Sequence, residues 1–461
     1  MNLQHLLVVA TSIVLVSGSS LAQAGNAPAT FTAAELRADL AELKRALLEM
    51  PPDLYRTADR DQLERAYRKI ESDLQDSPPL DRDAAWRLFA TLNPILADGH
   101  LLVGFVDWRG DTRAHLASGG ALFPFEVQVT PQCEIRVRAT LGGRISPLEN
   151  LRVRTINKLS ARQICEQMLA HAHGDTLNFR ADLLSRRFWF YYWKLFGAPA
   201  MFDLDLTGLK GTQSFPASTE LPQLLADESS FDRQFWIETL TEDTVAMKLG
   251  TFAWPEKQQL LDFTRTSFQK LRDIGTKNLI IDLRDNGGGD DVMWIEGVMP
   301  YVASKPYRTG STYRKRVVVA NPEKGEIVGE VVDGAIDTWY PAQPDNPLRF
   351  HGKVFVVVGP GTYSSAVVFS NVMQDFRFAE LAGVGDSVRA NLSGGVRRTT
   401  LTHCGLIVAA PRFTLNRPSG ATDPVLFTPR IRFDGSQPLR EIIHLSGEQD
   451  TVDEIVTTSR R

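Results

Sequence analysis

Short apolar strands alternate with helices in the second half of the sequence. "NLIIDL" (278–283) and "KVFVVVG" (353–359) are almost entirely apolar, which is typical of strands buried on both faces. Just before the first of them, "KQQLLDFTRTSFQKLRDIG" (257–275) has apolar residues at helical spacing. This alternation predicts an α/β domain over residues 231–461, with a mainly parallel sheet covered by helices. Three further stretches are expected to add more exposed strands to the same sheet: "RKRVVVA" (314–320), "GEIVGEVV" (325–332) and "CGLIVAA" (404–410).

The region before this domain divides into a helical part and a mixed part. Residues 25–115 are predicted to be mostly helical, with apolar periodicity over 32–72 and again over 81–100. Thr32 and Glu35 have the spacing of a capping box at the first helix.

Residues 116–230 are predicted to form an α+β region. Short alternating stretches between 121 and 157 indicate strands, and "SARQICEQMLAHA" (160–172) indicates a helix. The aromatic run "RRFWFYYWKLFG" (186–197) is interpreted as a buried helix or a seam between domains rather than a cofactor site.

The first residues have the pattern of a secretory signal. "LLVVATSIVLV" is too short to span a bilayer comfortably, and "AQA" at 22–24 offers small residues for cleavage. A buried first helix is the alternative, although the segment that follows is rich in Ser, Gly and Gln. We therefore expect residues 1–24 to be a signal peptide and the protein to be exported, to the periplasm or the extracellular space. No later segment is apolar enough to cross a membrane.

Charge and cysteine content exclude several classes of function. The formal net charge is only −4, so nothing indicates a surface for nucleic acid. The cysteines Cys133, Cys165 and Cys404 allow one disulfide but no framework, and no pair has the spacing of a zinc site. No metal or cofactor is predicted, and the oligomeric state is left open.

A glycine-rich loop follows the first of the buried strands. "IIDLRDNGGGDD" (280–291) leaves backbone N–H groups free ahead of a helix, an arrangement suited to an oxyanion. The alternative is a tight turn with Asp290 or Asp291 as the helix N-cap. Nucleotide binding is disfavoured, because neither GxGxxG nor the Lys-Ser/Thr of a P-loop is present.

A second special turn follows the next buried strand. In "VVVGPGTYSSAVVFSNVMQDF" (356–376), Ser364 and Ser365 stand where a helix begins. A serine at this place is usually a cap, but a strand-turn-helix can also expose a nucleophile. Because ligands bind at the carboxyl ends of parallel strands, two such turns in one sheet favour a catalytic site.

A histidine near the N-terminal helices is the candidate base. In "LADGHLLVGF" (96–105), His100 follows a helix and precedes an apolar run. Taken alone, a histidine in a turn is more often a hydrogen-bonded structural residue.

Three motifs together resemble the C-terminal processing peptidase family, which includes the tail-specific and tricorn-type serine peptidases. "LADGH", "NLIIDLRDNGGG" and "VVVGPGTYSSAVVF" are similar to its Asp-Gly-His segment, its glycine loop and its nucleophile turn, in the same order. The resemblance implies a crotonase-like (ClpP-like) α/β core and a peptide or protein substrate. It also implies a degenerate PDZ-like or lid module in the middle region.

The resemblance implies specific roles for the residues of both turns. Ser364 would be the nucleophile, and the N–H of Ser365 would help to bind the oxyanion. The second donor would be Gly288 or Gly289.

The general base departs from the common family pattern. Many members use a lysine after the nucleophile, but no lysine follows Lys353, and a guanidinium such as that of Arg389 stays protonated. The tricorn-type branch instead implies His100 as the base. Its carboxylate partner would be Asp423. Fallback residues are Glu441 and Asp386 for the acid and His403 for the base.

The sequence therefore predicts an exported serine peptidase. Two alternatives remain: an inactive protein that binds peptides or a small ligand on the same fold, and a crotonase-like acyl-CoA enzyme. The signal segment and the lack of a basic cluster for the CoA phosphates disfavour the second.

Overall fold

The computed structural model describes residues 29–433 and 438–447. The predicted signal peptide, residues 1–24, lies outside the described residues. No helix in the described part of the chain combines the length and apolarity needed to cross a bilayer.

The N-terminal part is helical, as predicted. Its elements in chain order are β1 (Thr30–Phe31), α1 (Ala33–Glu49), α2 (Arg60–Asp73), β2 (Leu80–Asp81), α3 (Arg82–Phe89), α4 (Asn93–Leu96), β3 (Leu102–Gly104) and α5 (Trp108–Ala117). The capping box of Thr32 and Glu35 is present at the start of α1. The single helix predicted over 81–100 is instead interrupted by a 3₁₀ turn, and α4 ends before Ala97, whose φ is +49°.

The middle part carries an antiparallel sheet and one long helix. Its elements are β4 (Phe125–Val129), β5 (Ile135–Thr140), β6 (Arg152–Ile156), β7 (Leu159–Ser160), α6 (Ala161–Leu169), α7 (Leu177–Phe196), β8 (Met201–Leu206), β9 (Thr212–Pro216) and α8 (Gln223–Asp227). The strand order is β4-β5-β6-β8-β9, with β7 paired to β6. A disulfide joins Cys133 to Cys165 of α6, while Cys404 is a buried free thiol.

The third part is the predicted α/β unit. Its elements are α9 (Phe231–Gln234), β10 (Phe235–Thr241), β11 (Thr244–Leu249), α10 (Lys257–Asp273), β12 (Asn278–Asp282), α11 (Asp291–Gly297), α12 (Met299–Val302), β13 (Thr312–Arg316), β14 (Val331–Ala335), β15 (Lys353–Val358), α13 (Ser365–Asp375), β16 (Glu380–Gly383), β17 (Leu392–Thr400), β18 (Ile407–Leu415) and β19 (Ile431–Arg432). The main sheet has the order β10-β11-β12-β15-β16-β19. All neighbouring pairs from β11 to β19 are parallel, which confirms the predicted α/β core.

The strands predicted as additions to the main sheet form a sheet of their own. Its order is β14-β13-β18-β17, and β3 of the N-terminal part pairs with β18. Residues 407–411 of β18 are buried rather than exposed, because they pack under the N-terminal helices. This second sheet links the two ends of the chain.

Two large hydrophobic clusters stabilise the fold. One combines the N-terminal and middle parts with residues from the β17–β18 hairpin, and the other lies against the main sheet. The aromatic run of α7 is buried in the first cluster, since Phe188 and Trp189 are almost fully covered. This confirms the prediction of a buried helix.

Candidate active site

The two special turns lie side by side at one edge of the main sheet. Strands β12 and β15 are parallel neighbours, with Asp282 opposite Val357. The glycine loop leaves the end of β12, and the Gly-Pro-Gly turn leaves the end of β15. The topology therefore brings both turns to the carboxyl edge of the sheet, where α/β proteins bind ligands.

Asn286 holds the glycine loop in its shape. Its buried amide donates to the Leu249 carbonyl at 2.8 Å, and its side-chain oxygen accepts from the Gly288 N–H at 2.8 Å. Its own carbonyl accepts from the Tyr363 N–H at 3.0 Å, which ties the loop to the neighbouring turn. Asn286 is completely buried, so these bonds also satisfy its polar atoms.

Gly288 and Gly289 both have positive φ angles, +99° and +143°. A β-carbon on Gly288 would stand 2.6 Å from the Ser364 Cβ and 2.9 Å from the Ser365 nitrogen. A β-carbon on Gly289 would collide with the backbone of Phe252. Glycine is therefore required at both positions, and the structure brings the glycine loop directly against Ser364.

Ser364 occupies the N-cap position of α13 without acting as a cap. Its side chain makes no capping hydrogen bond, and its backbone has φ +52° and ψ −127°. Positive φ is costly for a residue with a β-carbon, and such strain concentrates at functional sites. The Ser364 hydroxyl is therefore not used to cap α13.

Ser365 uses its hydroxyl differently. Its Oγ donates to Asp291 Oδ1 at 2.5 Å and accepts from Trp294 Nε1 at 3.0 Å. Burial raises the pKa of Asp291 to about 6. This buried cluster fixes the first turn of α13, so the Ser365 backbone N–H beside Gly288 is held in place while its side chain is fully engaged.

The three predicted oxyanion donors are not equivalent. The Gly288 N–H is occupied by the Asn286 side chain, so Gly288 contributes space rather than a free donor. Within residues 29–433 and 438–447, the backbone nitrogens of Gly289 and Ser365 have no hydrogen-bond acceptor. These two N–H groups are therefore the ones that are available to bind an oxyanion.

His100 lies beside the turn that carries Ser364. Its ring packs against that of Tyr363, the residue before Ser364, with a centroid distance of 4.8 Å and an interplanar angle of 46°. His100 Nδ1 is 3.0 Å from the Ser393 hydroxyl, which donates to Asp98 Oδ1 at 2.9 Å. Burial lowers the pKa of His100, although Asp98 and Asp175 partly oppose this. The ring is therefore neutral at neutral pH.

Tyr363 connects the loop of His100 with the turn of Ser364. Its hydroxyl donates to Asp175 Oδ1 at 2.8 Å and accepts from the Gly99 N–H at 2.9 Å. A β-carbon on Gly99 would stand 2.6 Å from the tyrosine ring, so only glycine allows this approach. The residue before Ser364 thus binds the residue before His100.

Arg389 lies in the part of the chain where many family members have a lysine base. Here it contacts the same hydrogen-bond network. Its backbone N–H donates to Asp175 Oδ2 at 2.9 Å, and its guanidinium donates to the Ala97 carbonyl at 2.6 Å. The side chain therefore holds the loop ahead of His100.

Asp423 does not join this arrangement. It is exposed, and in the described part of the chain it has no hydrogen bond or ion pair with His100. The carboxylate connected to the ring is Asp98 of the same loop, through the Ser393 hydroxyl, and both residues are buried. The sequence assignment of Asp423 as the orienting acid therefore does not match these contacts.

The fallback residues also have other partners or places. Asp386 accepts from Thr428 and pairs with Arg432. The ring of His403 lies 3.9 Å from Glu35 of α1. Glu441 closes a short 3₁₀ turn near the end of the described chain.

Helix α7 of the middle part docks on both turns. Arg186 pairs with Asp182 at 2.6 Å and donates to the Asp285 carbonyl in the glycine loop at 3.3 Å. Its guanidinium also fills the space that a β-carbon on Gly361 would need. The turns and the helix enclose a cavity of about 650 Å³, lined by Gly287–Gly289, His100 and Tyr363 among others. No cluster of three or more metal-ligating side chains occurs among the residues that the structure describes.

The sequence model of Peptidase family S41 matches residues 247–424, the segment that carries the parallel sheet, the glycine loop and Ser364. This segment is therefore similar to peptidase family S41. The S41 segment ends before β19, and His100 lies outside it, in the helical N-terminal part.

Solved structures share the fold over almost the whole chain. Mature CPAF complexed with lactacystin has a TM-score of 0.60 at 12% identity, covering 92% of this chain and 98% of that chain. A mutant of CPAF has a TM-score of 0.62 at 12% identity, covering 92% and 97%. At this identity the likeness concerns the fold alone. No curated protein matches the chain.

Proposed function

We propose that the protein is a serine peptidase in which Ser364 attacks the carbonyl carbon of a peptide bond. One observation carries this proposal: Ser364 starts a helix without capping it, at positive φ, against the glycine loop. A strained turn at the end of a buried strand exposes the hydroxyl above the sheet, as a nucleophile requires. The S41 match of the surrounding residues supports the same chemistry.

His100 is the proposed general base. A hydroxyl has one proton, and Ser393 donates its own to Asp98. The Ser393 oxygen must then accept from His100 Nδ1, so that Nδ1 carries the imidazole proton and Nε2 keeps its lone pair. The ring therefore enters the reaction as a neutral base in a fixed tautomer. Fixing this tautomer is the function that the acid has in a catalytic triad.

The reaction proceeds in two steps. His100 Nε2 takes the proton of Ser364 as Oγ bonds to the carbonyl carbon, and the N–H groups of Gly289 and Ser365 bind the resulting oxyanion. The C–N bond then breaks, and His100 returns the proton to the leaving amine. Water, deprotonated by His100, hydrolyses the acyl-enzyme and restores Ser364.

The test is covalent labelling with a neutral fluorophosphonate, followed by peptide mapping. The wild type is expected to be labelled at Ser364, and Ser364→Ala is expected to lose the label. Ser370→Ala is the matched control, because Ser370 is a buried serine of the same helix whose hydroxyl donates to the Ala366 carbonyl. Equal labelling of the wild type and Ser364→Ala would refute the assignment.

Peptide binding without cleavage is the second candidate function. It is favoured by one observation: no hydrogen bond joins Ser364 to His100 in the described residues. Catalytic hydrogen bonds are often formed only in the substrate complex, so peptidase activity remains the first proposal. A protein that binds intact peptides and resists the phosphonate would belong to the second class.

We also propose that the protein is exported and acts in the periplasm or the extracellular space on peptides or proteins. The disulfide between Cys133 and Cys165 supports an oxidising compartment, and the signal pattern of residues 1–24 points the same way. Fractionation of cells producing the full chain tests this. Mature protein that begins near Gly25 is expected outside the cytoplasm, and retention of the full chain in the cytoplasm would contradict it.

A further inference from the structure

A second, smaller cavity of about 270 Å³ adjoins His100. Aromatic side chains form much of its wall: Trp86, Phe105, Trp108, Phe190 and Tyr191. It shares His100, Arg187 and four other residues with the larger cavity. A peptide bound at Ser364 and His100 would therefore have this aromatic and arginine-containing space beside it.

Two arginines lie over the same indole ring in this cavity, and one of them is paired with a carboxylate of the protein. The guanidinium carbons of Arg109 and Arg187 are each 4.3 Å from the centroid of the Trp108 ring. Arg109 forms a two-pronged pair with Glu228, with N–O distances of 2.6 and 2.7 Å. Within the described chain, Arg187 has neither a hydrogen bond nor an ion pair, and its Nε is buried without a partner.

Glu228, whose charge favours the protonated form of Arg187, is itself paired with Arg109. Arg186 is already paired with Asp182, as Arg109 is with Glu228. Burial lowers the pKa of Arg187 to about 10, with a contribution from the charge of Arg109, so the guanidinium is still protonated at neutral pH. A buried donor without an acceptor is unfavourable, and a charged one more so.

The local backbone directs Arg187 away from the path of a regular helix. The geometry of α7 breaks at this residue, where φ is −131° and ψ is +23°. Arg186, one residue earlier, reaches the Asp285 carbonyl of the glycine loop, whereas Arg187 lines the two cavities beside His100. The break therefore allows consecutive arginines to serve two different places.

We propose that Arg187 binds a carboxylate of the peptide substrate next to the cleaved bond. The planar guanidinium can lie on the Trp108 ring and still offer its N–H groups to both oxygens of a carboxylate, as Arg109 does to Glu228. Glu228 of the protein is the carboxylate partner of Arg109, and the substrate would supply the corresponding partner of Arg187. This inference rests on the proposed peptidase function, and the carboxylate belongs either to an acidic side chain or to the chain end.

The experiment measures binding without cleavage. The full chain with Ser364→Ala is titrated with fluorescent mixtures of hexapeptides that are randomised except at one central position. One pair of end-capped mixtures carries Glu or Gln at that position, and a second pair, with Gln there, ends in a free carboxylate or an amide. A charge-assisted pair is expected to favour one carboxylate form by roughly 10- to 100-fold in Kd.

Further variants in the same background assign the preference to Arg187. Arg187→Met is expected to abolish it, and Arg187→Lys, which keeps a charge but loses the fork, to reduce it. Arg349→Met is the matched control, because Arg349 also has a buried Nε without a partner but lies outside both cavities. Thermal unfolding of each variant checks that it is folded. If Arg187→Met is not folded, the binding preference of Arg187→Lys decides the assignment.

Each outcome has a defined meaning. Loss of a Glu-over-Gln preference in Arg187→Met assigns the site to an acidic side chain, and loss of an acid-over-amide preference assigns it to the chain end. Equal binding of both members in each pair, no binding at all, or a preference unchanged in the Arg187 variants would overturn the inference. Phosphonate labelling of the wild type tests the peptidase proposal separately, so either idea can fail while the other stands.

Discussion

The Ser393 hydroxyl lies 3.0 Å from His100 Nδ1, although 293 positions separate the two residues in the sequence. The serine passes the interaction on to Asp98, which also accepts the backbone N–H of His100 at 2.8 Å. An acid therefore reaches the histidine from within its own loop, through a hydroxyl from β17. In this arrangement a neutral side chain contacts the ring, and the charge lies one bond further away.

Replacing Ser393 by alanine is expected to lower kcat/KM by about 100-fold, because the histidine loses the group that fixes its tautomer. The variant also leaves Asp98 with one acceptor unsatisfied, which costs about 1–3 kcal/mol in the free energy of unfolding. Peptide hydrolysis and thermal unfolding measure the two effects. Ser370→Ala is the control, and an unchanged rate in Ser393→Ala would remove the residue from the mechanism.

Gly288→Ala is expected to abolish activity and destabilise the protein. The new β-carbon would meet Ser364 Cβ at 2.6 Å and the Ser365 nitrogen at 2.9 Å, at a φ of +99°. Gly287→Ala serves as the folding control, because a β-carbon there has no atom within 4 Å. Phosphonate labelling and thermal unfolding of both variants are the measurements. Normal labelling of Gly288→Ala would show that the glycine loop does not press against the nucleophile.

Ser364→Gly is expected to be more stable than Ser364→Ala by about 1 kcal/mol, although neither is active. Glycine adopts φ +52° without the steric penalty that alanine shares with serine, and this outweighs its larger entropy in the unfolded chain. Chemical denaturation of the two variants measures the difference. Equal stabilities would indicate that the backbone at this position is relaxed, and the argument from strain would fail.

The stability of the protein is expected to fall as the pH decreases from 6.5 towards 3. Burial lowers the pKa of His173 to about 3, and the pKa of His100 is lowered in the same direction. Below pH 6.5 the unfolded chain binds protons that the folded protein does not, so unfolding becomes easier. Above pH 6.5 both states are neutral at these histidines and the contribution is constant.

A substitution isolates this contribution. His173→Gln is expected to flatten the decline in unfolding temperature between pH 6.5 and 3, and His403→Gln, which replaces a half-buried histidine outside both cavities, is the matched control. Parallel pH profiles for the wild type and His173→Gln would contradict the assignment of a neutral buried imidazole.

Features with a local signature could be predicted from the sequence. Buried strands have apolar runs, α7 has a dense aromatic run, and the glycine loop is visible as three consecutive glycines after a buried strand. Ser364 belongs to this class, since strand, turn and helix are contiguous. Its role as nucleophile stays a prediction, although the geometry around it has the expected form.

Contacts between distant segments could not be predicted in the same way. Asp98, Asp175 and Ser393 are brought together by the packing of three parts of the chain, and no spacing in the sequence indicates it. Asp98 has the nearest sequence signal, because it stands two residues before His100 in "ADGH". Resemblance to a late acidic segment points to Asp423 instead, and in this chain that residue is exposed.

The hydrogen bonds of the Tyr363 hydroxyl to Asp175 and Gly99 have a consequence for when the site forms during biosynthesis. They join chain positions 99, 175 and 363, and His100 contacts Ser393 still later in the chain. A chain that is still being made folds from its N-terminal end, so the histidine loop and α7 exist long before the nucleophile turn and β17 can join them. A nascent chain would therefore lack the proposed peptidase site until nearly all of its residues have been added. The proposed activity would in this way be withheld from the producing cell until synthesis of the chain is almost complete.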